Sequence, residues 1–224
     1  MAEEIFLLAT DDERGTSANV LGVEHGIAGG LLFELAMSGG LGYEGDTFVP
    51  GEAAAAAAAA DHPLLAEVLE LVRAEEIPRK AKWWVRRLPR QIKPLQVKIG
   101  QSLVERGVLS EKQHRVLGLF STTRIPEYDP APERSLRERL RQVLLDEREP
   151  QARDVLIVAV LRAQRRIGTV VPKDARKHAE NRAKQITEGD LLGKAVGDSV
   201  REMQAALVAS VAAATIAASS AAGT

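Results

Sequence analysis

The sequence predicts a mainly α-helical protein: one globular helical domain over residues 1–224, with one or two β-hairpins, one of them protruding and apolar. Three observations carry this. Apolar residues recur at helical spacing along most of the chain. Strand–helix–strand alternation, the mark of a parallel sheet, is absent. No repeat of fixed period is present, so a solenoid or propeller is excluded. At 224 residues and 45% hydrophobic content, the chain has enough apolar surface for a full core.

Taken in order, residues 5–9 form a short apolar run, read as a strand or first helical turn, leading into the acidic turn Asp11-Asp12-Glu13. Over residues 17–37, Val20, Val23, Ile27, Leu31, Leu32 and Leu35 fall at helical spacing. Gly26, Gly29 and Gly30 lie inside this helix; glycines weaken a helix, so several together imply close packing against another one. Ser38-Gly39-Gly40 ends it. Residues 41–49 are glycine-spaced and read as a short hairpin. Residues 51–60 include eight consecutive alanines and carry no chemistry. Helices follow at 64–74, at 83–88 (halted by Pro89) and at 95–106, ending at Gly107. The stretch 108–125 reads as a β-hairpin with an apolar end at Val116, Leu117, Leu119 and Phe120. Residues 126–132 are a linker. Further helices are expected at 133–145, 153–166, 174–186 and 190–218, with 205–224 an alanine-rich tail.

Composition excludes several classes. There is no cysteine, so disulfides and thiolate metal sites are ruled out. The N-terminus is acidic and its apolar run is too short for a signal peptide. No stretch offers the roughly 20 strongly apolar residues of a spanning helix, so membrane contact is expected to be peripheral, on a cytoplasmic protein. Abundant Ala, Arg and Gly fit a GC-rich bacterial genome. The histidines His25, His62, His114 and His178 share no motif. Gly26-Ile27-Ala28-Gly29-Gly30 lacks the Lys-Ser/Thr tail of a phosphate loop, and catalytic Ser or zinc-helix motifs are absent. No enzymatic activity, cofactor or metal is expected.

Charge is the informative feature. Residues 1–78 hold fifteen Asp or Glu against two basic residues, Arg14 and Arg73, although the whole chain has a net charge of -1. The halves either interlock and cancel or leave the protein two-faced. Residues 79–98 pack eight basic residues and both tryptophans, Trp83 and Trp84, with no acid. Indoles beside Lys and Arg suit a membrane headgroup zone or single-stranded nucleic acid. A second basic group, Arg162, Arg165, Arg166, Lys173, Arg176 and Lys177, reads as a solvated helix face. Each basic residue at an anionic membrane contributes roughly 1 kcal/mol. Half of the eight would give about 4 kcal/mol, a millimolar constant. A headgroup pocket, an inserted apolar element or oligomer avidity must add to it; the 108–125 hairpin is the candidate for the last two.

Several landmarks occur together in a specific order: L-L-A-T-D-D-E-R-G-T-S, G-I-A-G-G-L-L-F-E-L-A-M-S-G-G-L, H-P-L-L-A-E-V-L, W-V-R-R-L, L-V-E-R-G-V-L-S and L-G-L-F-S-T-T-R-I-P. In these the chain resembles the Golgi phosphoprotein 3 family, including its actinobacterial members, over residues 5–170. The resemblance implies a helical domain with a protruding apolar hairpin and binding of phosphatidylinositol 4-phosphate at a membrane face, on the Golgi in eukaryotic members. It also implies protein cargo and oligomerisation through the hairpin. Of the family's four headgroup positions, this chain has Asn19 for a Trp, Ala28 for an Arg, Lys93 retaining the charge, and Gln96. The expected headgroup surface is therefore Lys93, Lys98, Arg90, Arg86 and Arg87, with Trp83 or Trp84 at the interface. The alternatives are a protein-interaction adaptor without lipid specificity and a nucleic-acid binder; the near-neutral chain and the lack of a nucleic-acid motif disfavour the latter.

Overall fold

The computed structural model describes residues 1–9, 22–51, 62–109, 129–188 and 198–221. The apolar start of the chain is helical: α1 (Ala2–Ala9) is buried along most of its length. Helix α2 (Val23–Met37) follows, and it is the centre of the fold. Ile27, Ala28, Leu31, Leu32 and Leu35 are wholly inaccessible to solvent. A helix apolar on every side must be enclosed on every side, and α2 meets helices in three directions. The glycines make this possible. A Cβ on Gly29 would lie 2.6 Å from Val211, one on Gly26 3.0 Å from Val160, and one on Gly30 3.0 Å from the Ala2 backbone. The expected close packing is present, against three helices rather than one.

After α2 the chain forms the expected hairpin, β1 (Leu41–Glu44) and β2 (Thr47–Pro50). Its two-residue turn, Gly45-Asp46, has φ of 52° and 71°, the combination that suits the twist of a tight hairpin. Tyr43 and Phe48 meet edge to face across it. A short β3 (Arg79–Lys80) adds antiparallel to β2, with Phe48 opposite Arg79. Between them runs α3 (Pro63–Arg73), opened by Pro63.

Helix α4 (Ala81–Gln91) departs from the sequence expectation. Pro89 does not halt it; the helix runs through to Gln91. Proline at 89 removes one amide donor, but the buried side chains Leu88 and Ile92 hold the last turn, and the Ile92 amide still donates to Leu88. Helix α5 (Leu95–Glu105) ends as expected at Gly107, whose φ of 72° lets the Val108 amide turn back to Leu103. The apolar hairpin expected at 108–125, with Val116, Leu117, Leu119 and Phe120, lies outside the described residues apart from Val108 and Leu109. So do Asp11, Asp12, Glu13 and nearly all of the alanine run.

The C-terminal part is helical: α6 (Ala131–Leu144), α7 (Ala152–Ala163), two short 3-10 turns at Ile167–Thr169 and Lys173–Ala175, α8 (Arg176–Glu188) and α9 (Asp198–Ala221). Helix α7 starts with a capping box between Gln151 and Asp154. The alanine-rich stretch read as a tail is part of the core. Met203, Leu207, Val211 and Ala214 of α9 are buried against α2, α4 and α7. Alanine suits this position because its small side chain lets α9 approach closely.

The acidic and basic halves interlock. Glu4 bonds Arg139 at 2.9 Å and Arg153 at 2.6 Å, Glu67 bonds Lys98 at 2.6 Å, Asp46 bonds Lys80 at 2.6 Å, and Glu75 bonds Arg79 at 2.9 Å. Glu3 pairs with Arg106. The second basic group is partly committed as well: Arg162 bonds Glu188 and Thr187, and Arg166 donates to the Ala9 carbonyl.

Replacing Gly29 by valine tests the packing of α2. Overpacking costs typically about 1–3 kcal/mol, so Gly29→Val is expected to lower stability in chemical denaturation by that order. Adding Val211→Ala should restore part of the loss, because the two residues contact one another.

Candidate anion-binding surface

Helical spacing sorts the 79–98 run into two ridges on α4. Residues three and four apart share a face, so Trp83 and Arg87 form one ridge, extended before the helix by Arg79 of β3, and Lys82, Arg86 and Arg90 form the other, continued past the helix end by Lys93. The first ridge is satisfied internally. Trp83 is half-buried, with the Arg79 guanidinium 5.1 Å and the Arg87 guanidinium 5.5 Å from its ring centroid. With the Gln91 amide oriented as its neighbours require, its oxygen accepts from Arg87 Nε at 2.8 Å. The second ridge is different. Lys82, Arg86, Arg90 and Lys93 are all exposed; among the described residues none forms a salt bridge with a carboxylate, although the Glu24 carboxyl is within electrostatic reach of Lys93.

This corrects the sequence expectation at two residues. Trp84 is 2% exposed and packs into the core against Trp83, with ring centroids 4.7 Å apart. Its position on α4, one residue on from Trp83, turns it inward, and it has no interfacial face to offer. Lys98 is held by both oxygens of Glu67 and is half-buried, so its charge is already neutralised. Lys82, by contrast, joins the exposed ridge by spacing alone.

The unpaired ridge faces a second feature that has no signal in the sequence. The N-terminus of α2 lies beside it. Gly22, at the N-cap with φ of 89°, offers no side chain to the amides of the first turn. Helix N-termini carry partial positive charge and unsatisfied amides that favour anions. Two residues of that turn register the cations of α4 and the linker after it. Burial pushes the Glu24 carboxyl up, against the opposing pull of Lys93. Burial pushes the His25 imidazole down, and the charges of Arg86 and Arg90 push it further. The charges of Arg86, Arg90 and Lys93 thus act on the first turn of α2.

A family model for Golgi phosphoprotein 3 (GPP34) matches residues 1–203. The chain belongs to this family. The four positions at which the resemblance implies headgroup contacts have separate fates here. Ala28 is fully buried inside α2, Gln96 is half-buried, Lys93 is exposed, and Asn19 lies outside the described residues. Arg86 and Arg90, which come from α4, supply charge beside the one retained position.

Folding also assembles a cluster that the isolated histidines did not announce. Ser102 Oγ donates to Glu3 Oε1 at 2.8 Å and lies 3.3 Å from His62 Nε2, and that same nitrogen is 3.7 Å from Glu3 Oε1. Serine, histidine and carboxylate are all present, but not in the relay order of a hydrolase: Ser102 and Glu3 share one ring nitrogen while Nδ1 is buried without a partner. The cluster ties α1 to α5 and to the start of α3. Burial pushes the Glu3 carboxyl up, but hydrogen bonds from His62 and Ser102 and the charge of Arg106 overcome this and hold it at about 2. Among the described residues, no group of three or more His, Asp or Glu is placed to hold a metal, and no described helix is long and apolar enough to cross a membrane.

A carboxyl held below its unfolded value stabilises the protein above that value and loses the contribution as pH falls. Glu3 should therefore stabilise the fold fully above pH 4.5 and cease to do so as pH drops toward about 2. Denaturation midpoints measured across this range should fall steeply in the native chain, and less steeply in Glu3→Gln, which should be less stable at neutral pH.

Proposed function

We propose that this protein binds membranes peripherally, holding phosphatidylinositol 4-phosphate or a related anionic headgroup between Arg86, Arg90 and Lys93 and the N-terminus of α2. The observation that carries the reading is the row of exposed, unpaired cations beside that helix end. Many basic residues nearby, from Arg73 to Arg106, are already committed to carboxylates. Unpaired cations facing backbone amides form an anion cradle: guanidinium groups offer forked donors to phosphate, and a helix N-terminus adds amides and dipole.

Membership of the Golgi phosphoprotein 3 family supports the lipid reading over the others. Lys93 is the family position that keeps its charge, and Arg86 and Arg90 take the place of the cations absent at Ala28 and Gln96. Trp83 is half-buried and already engaged by the guanidinium groups of Arg79 and Arg87, which argues against its stacking on the bases of single-stranded nucleic acid. The role is binding rather than catalysis, on the cytoplasmic face of a membrane. Lys82 and Arg87 lie close enough on α4 to add long-range attraction to an anionic surface.

The test is vesicle flotation with the full chain. Neutral vesicles should recover little protein, and vesicles containing phosphatidylinositol 4-phosphate or phosphatidylglycerol should recover more. Reversing two charges at roughly 1 kcal/mol per basic residue, lost and then opposed, amounts to about 4 kcal/mol. Arg86→Glu with Arg90→Glu should accordingly weaken binding by on the order of a thousandfold, whereas Arg141→Gln on α6 should leave it unchanged. Equal recovery from neutral and anionic vesicles, or intact binding by the double variant, would sink the reading. Stronger capture by phosphatidylinositol 4-phosphate than by phosphatidylglycerol at equal charge would establish headgroup preference.

A further inference from the structure

A groove opens between α7, α9 and the end of α8, and none of its lining residues belongs to α4 or to the first turn of α2. It is therefore distinct from the cationic ridge. Its volume is about 980 Å³, at the upper end of the range for sites that enclose small molecules, and such sites recur between packed helices. The sequence explains the gap. Where α9 faces the groove it carries Ala205, Ala209 and Ala212, whose side chains are too short to fill the space toward α7. The rest of the wall is aliphatic. Val155 and Ile186 are buried and Val208 is half-buried. Ile216, on the same lining, is left 60% exposed, although an isoleucine gains by being covered.

Charged residues join this apolar wall. Arg162 and Arg165 come from the end of α7, Glu188 from the end of α8, and Arg201 and Glu202 from the start of α9. Arg162 is committed, donating to Thr187 Oγ1 and to Glu188 Oε1 at 2.8 Å each. Arg165 is exposed and forms no salt bridge among the described residues. It also holds a backbone conformation that arginine disfavours, with φ of 56°. It follows the C-cap Gln164, and the next amide, of Arg166, turns back to the Leu161 carbonyl at 2.8 Å. Glycine is the usual residue at such a left-handed helix stop. Stability alone would favour glycine; arginine there puts a guanidinium on the groove. Backbone strain of this kind concentrates at binding sites.

We propose that the groove binds a free long-chain carboxylate, its hydrocarbon chain along Val155, Ile186, Val208 and Ile216 and its carboxylate on Arg165. The planar fork of a guanidinium matches the two oxygens of a carboxylate. Three arginines against two glutamates suit an anion of single charge, whereas a doubly charged phosphate monoester would meet Glu188 and Glu202. The lining holds no aromatic ring, so it suits a flexible saturated chain better than a flat ligand that stacks.

The experiment is calorimetric titration of the full chain with laurate, below its micelle-forming concentration and at about pH 8, where the carboxylate is ionised. The native chain should take up one laurate saturably. It should bind 1-dodecanol, which has the same chain without the charge, about tenfold or more weakly. Arg165→Gly is the decisive variant. Glycine relaxes the helix stop, so the thermal midpoint should hold or rise, while laurate affinity falls by about tenfold to a hundredfold. Ala209→Trp, at an exposed position on the groove, should abolish uptake by filling it. In methyl nuclear magnetic resonance spectra, laurate should shift Ile186 and Ile216 but not Ile77, which is 59% exposed and lies outside the groove. Unsaturable uptake, equal affinity for laurate and dodecanol, native affinity in Arg165→Gly, or an Ile77 shift as large as that of Ile216 would each overturn the proposal. A dimer that laurate leaves intact and Ala209→Trp breaks would give the groove to a second copy of the chain, and would overturn it too. The headgroup reading is tested separately, by vesicle flotation and the charges of Arg86 and Arg90.

Discussion

Helix α2 is enclosed on all sides, and the rest of the architecture follows from how that is achieved. Three of its residues have no side chain where neighbouring helices press closest: Gly26 against α7, Gly29 against α9 and Gly30 against α1. Each contact brings a backbone nearer than a side chain would allow. Glycine costs about 1 kcal/mol of helix stability relative to alanine, so three glycines make a weak helix on its own. Burial of Ile27, Leu31, Leu32 and Leu35 offsets this, since a fully buried aliphatic side chain contributes roughly 1.5–3 kcal/mol. The helix is therefore held by its surroundings, and its position is fixed to within a fraction of an ångström by them.

That position matters because the first turn of α2 feels the charges of α4 and its flanking linker. Helix α4 packs on both α2 and α9 with Trp84, Val85 and Leu88 inward. Turning those residues inward leaves Lys82, Arg86 and Arg90 outward by helical geometry alone. The core thus orients the charge. Trp84 belongs to the mechanism only in this indirect sense: it fixes which way the basic ridge faces.

The distribution of acids explains why the ridge stays unpaired. Glu67, Glu75 and Asp46 come close to the 79–98 segment, and each is occupied by another of its bases: Lys98, Arg79 and Lys80. Glu3 and Glu4 are drawn to Arg106, Arg139 and Arg153. Pairing the two halves removes part of the long-range separation of charge that the sequence suggests. What survives is local: a short cationic row whose charges act on the first turn of α2, on a chain that is near-neutral as a whole.

The sequence alone determined the helical class, the glycine-mediated packing of α2, the 41–49 hairpin, the stop at Gly107 and the family. These are local or periodic properties, set by side-chain spacing, backbone freedom and short motifs. It also located the basic segment, because the absence of acid over residues 79–98 is visible without a fold. Tertiary structure decided which of those bases are free. Lys98 and Arg79 look like Arg86 and Arg90 in the sequence, yet carboxylates from α3 and the turn after it hold the first two and none among the described residues holds the others. It decided that Trp84 is core and that Pro89 leaves α4 intact, because neighbouring helices anchor both. It also brought the charges of Arg86 and Arg90 to bear on the first turn of α2, and His62 to Ser102 and Glu3. Proximity between residues distant along a chain depends on how whole helices pack, and no local pattern records it.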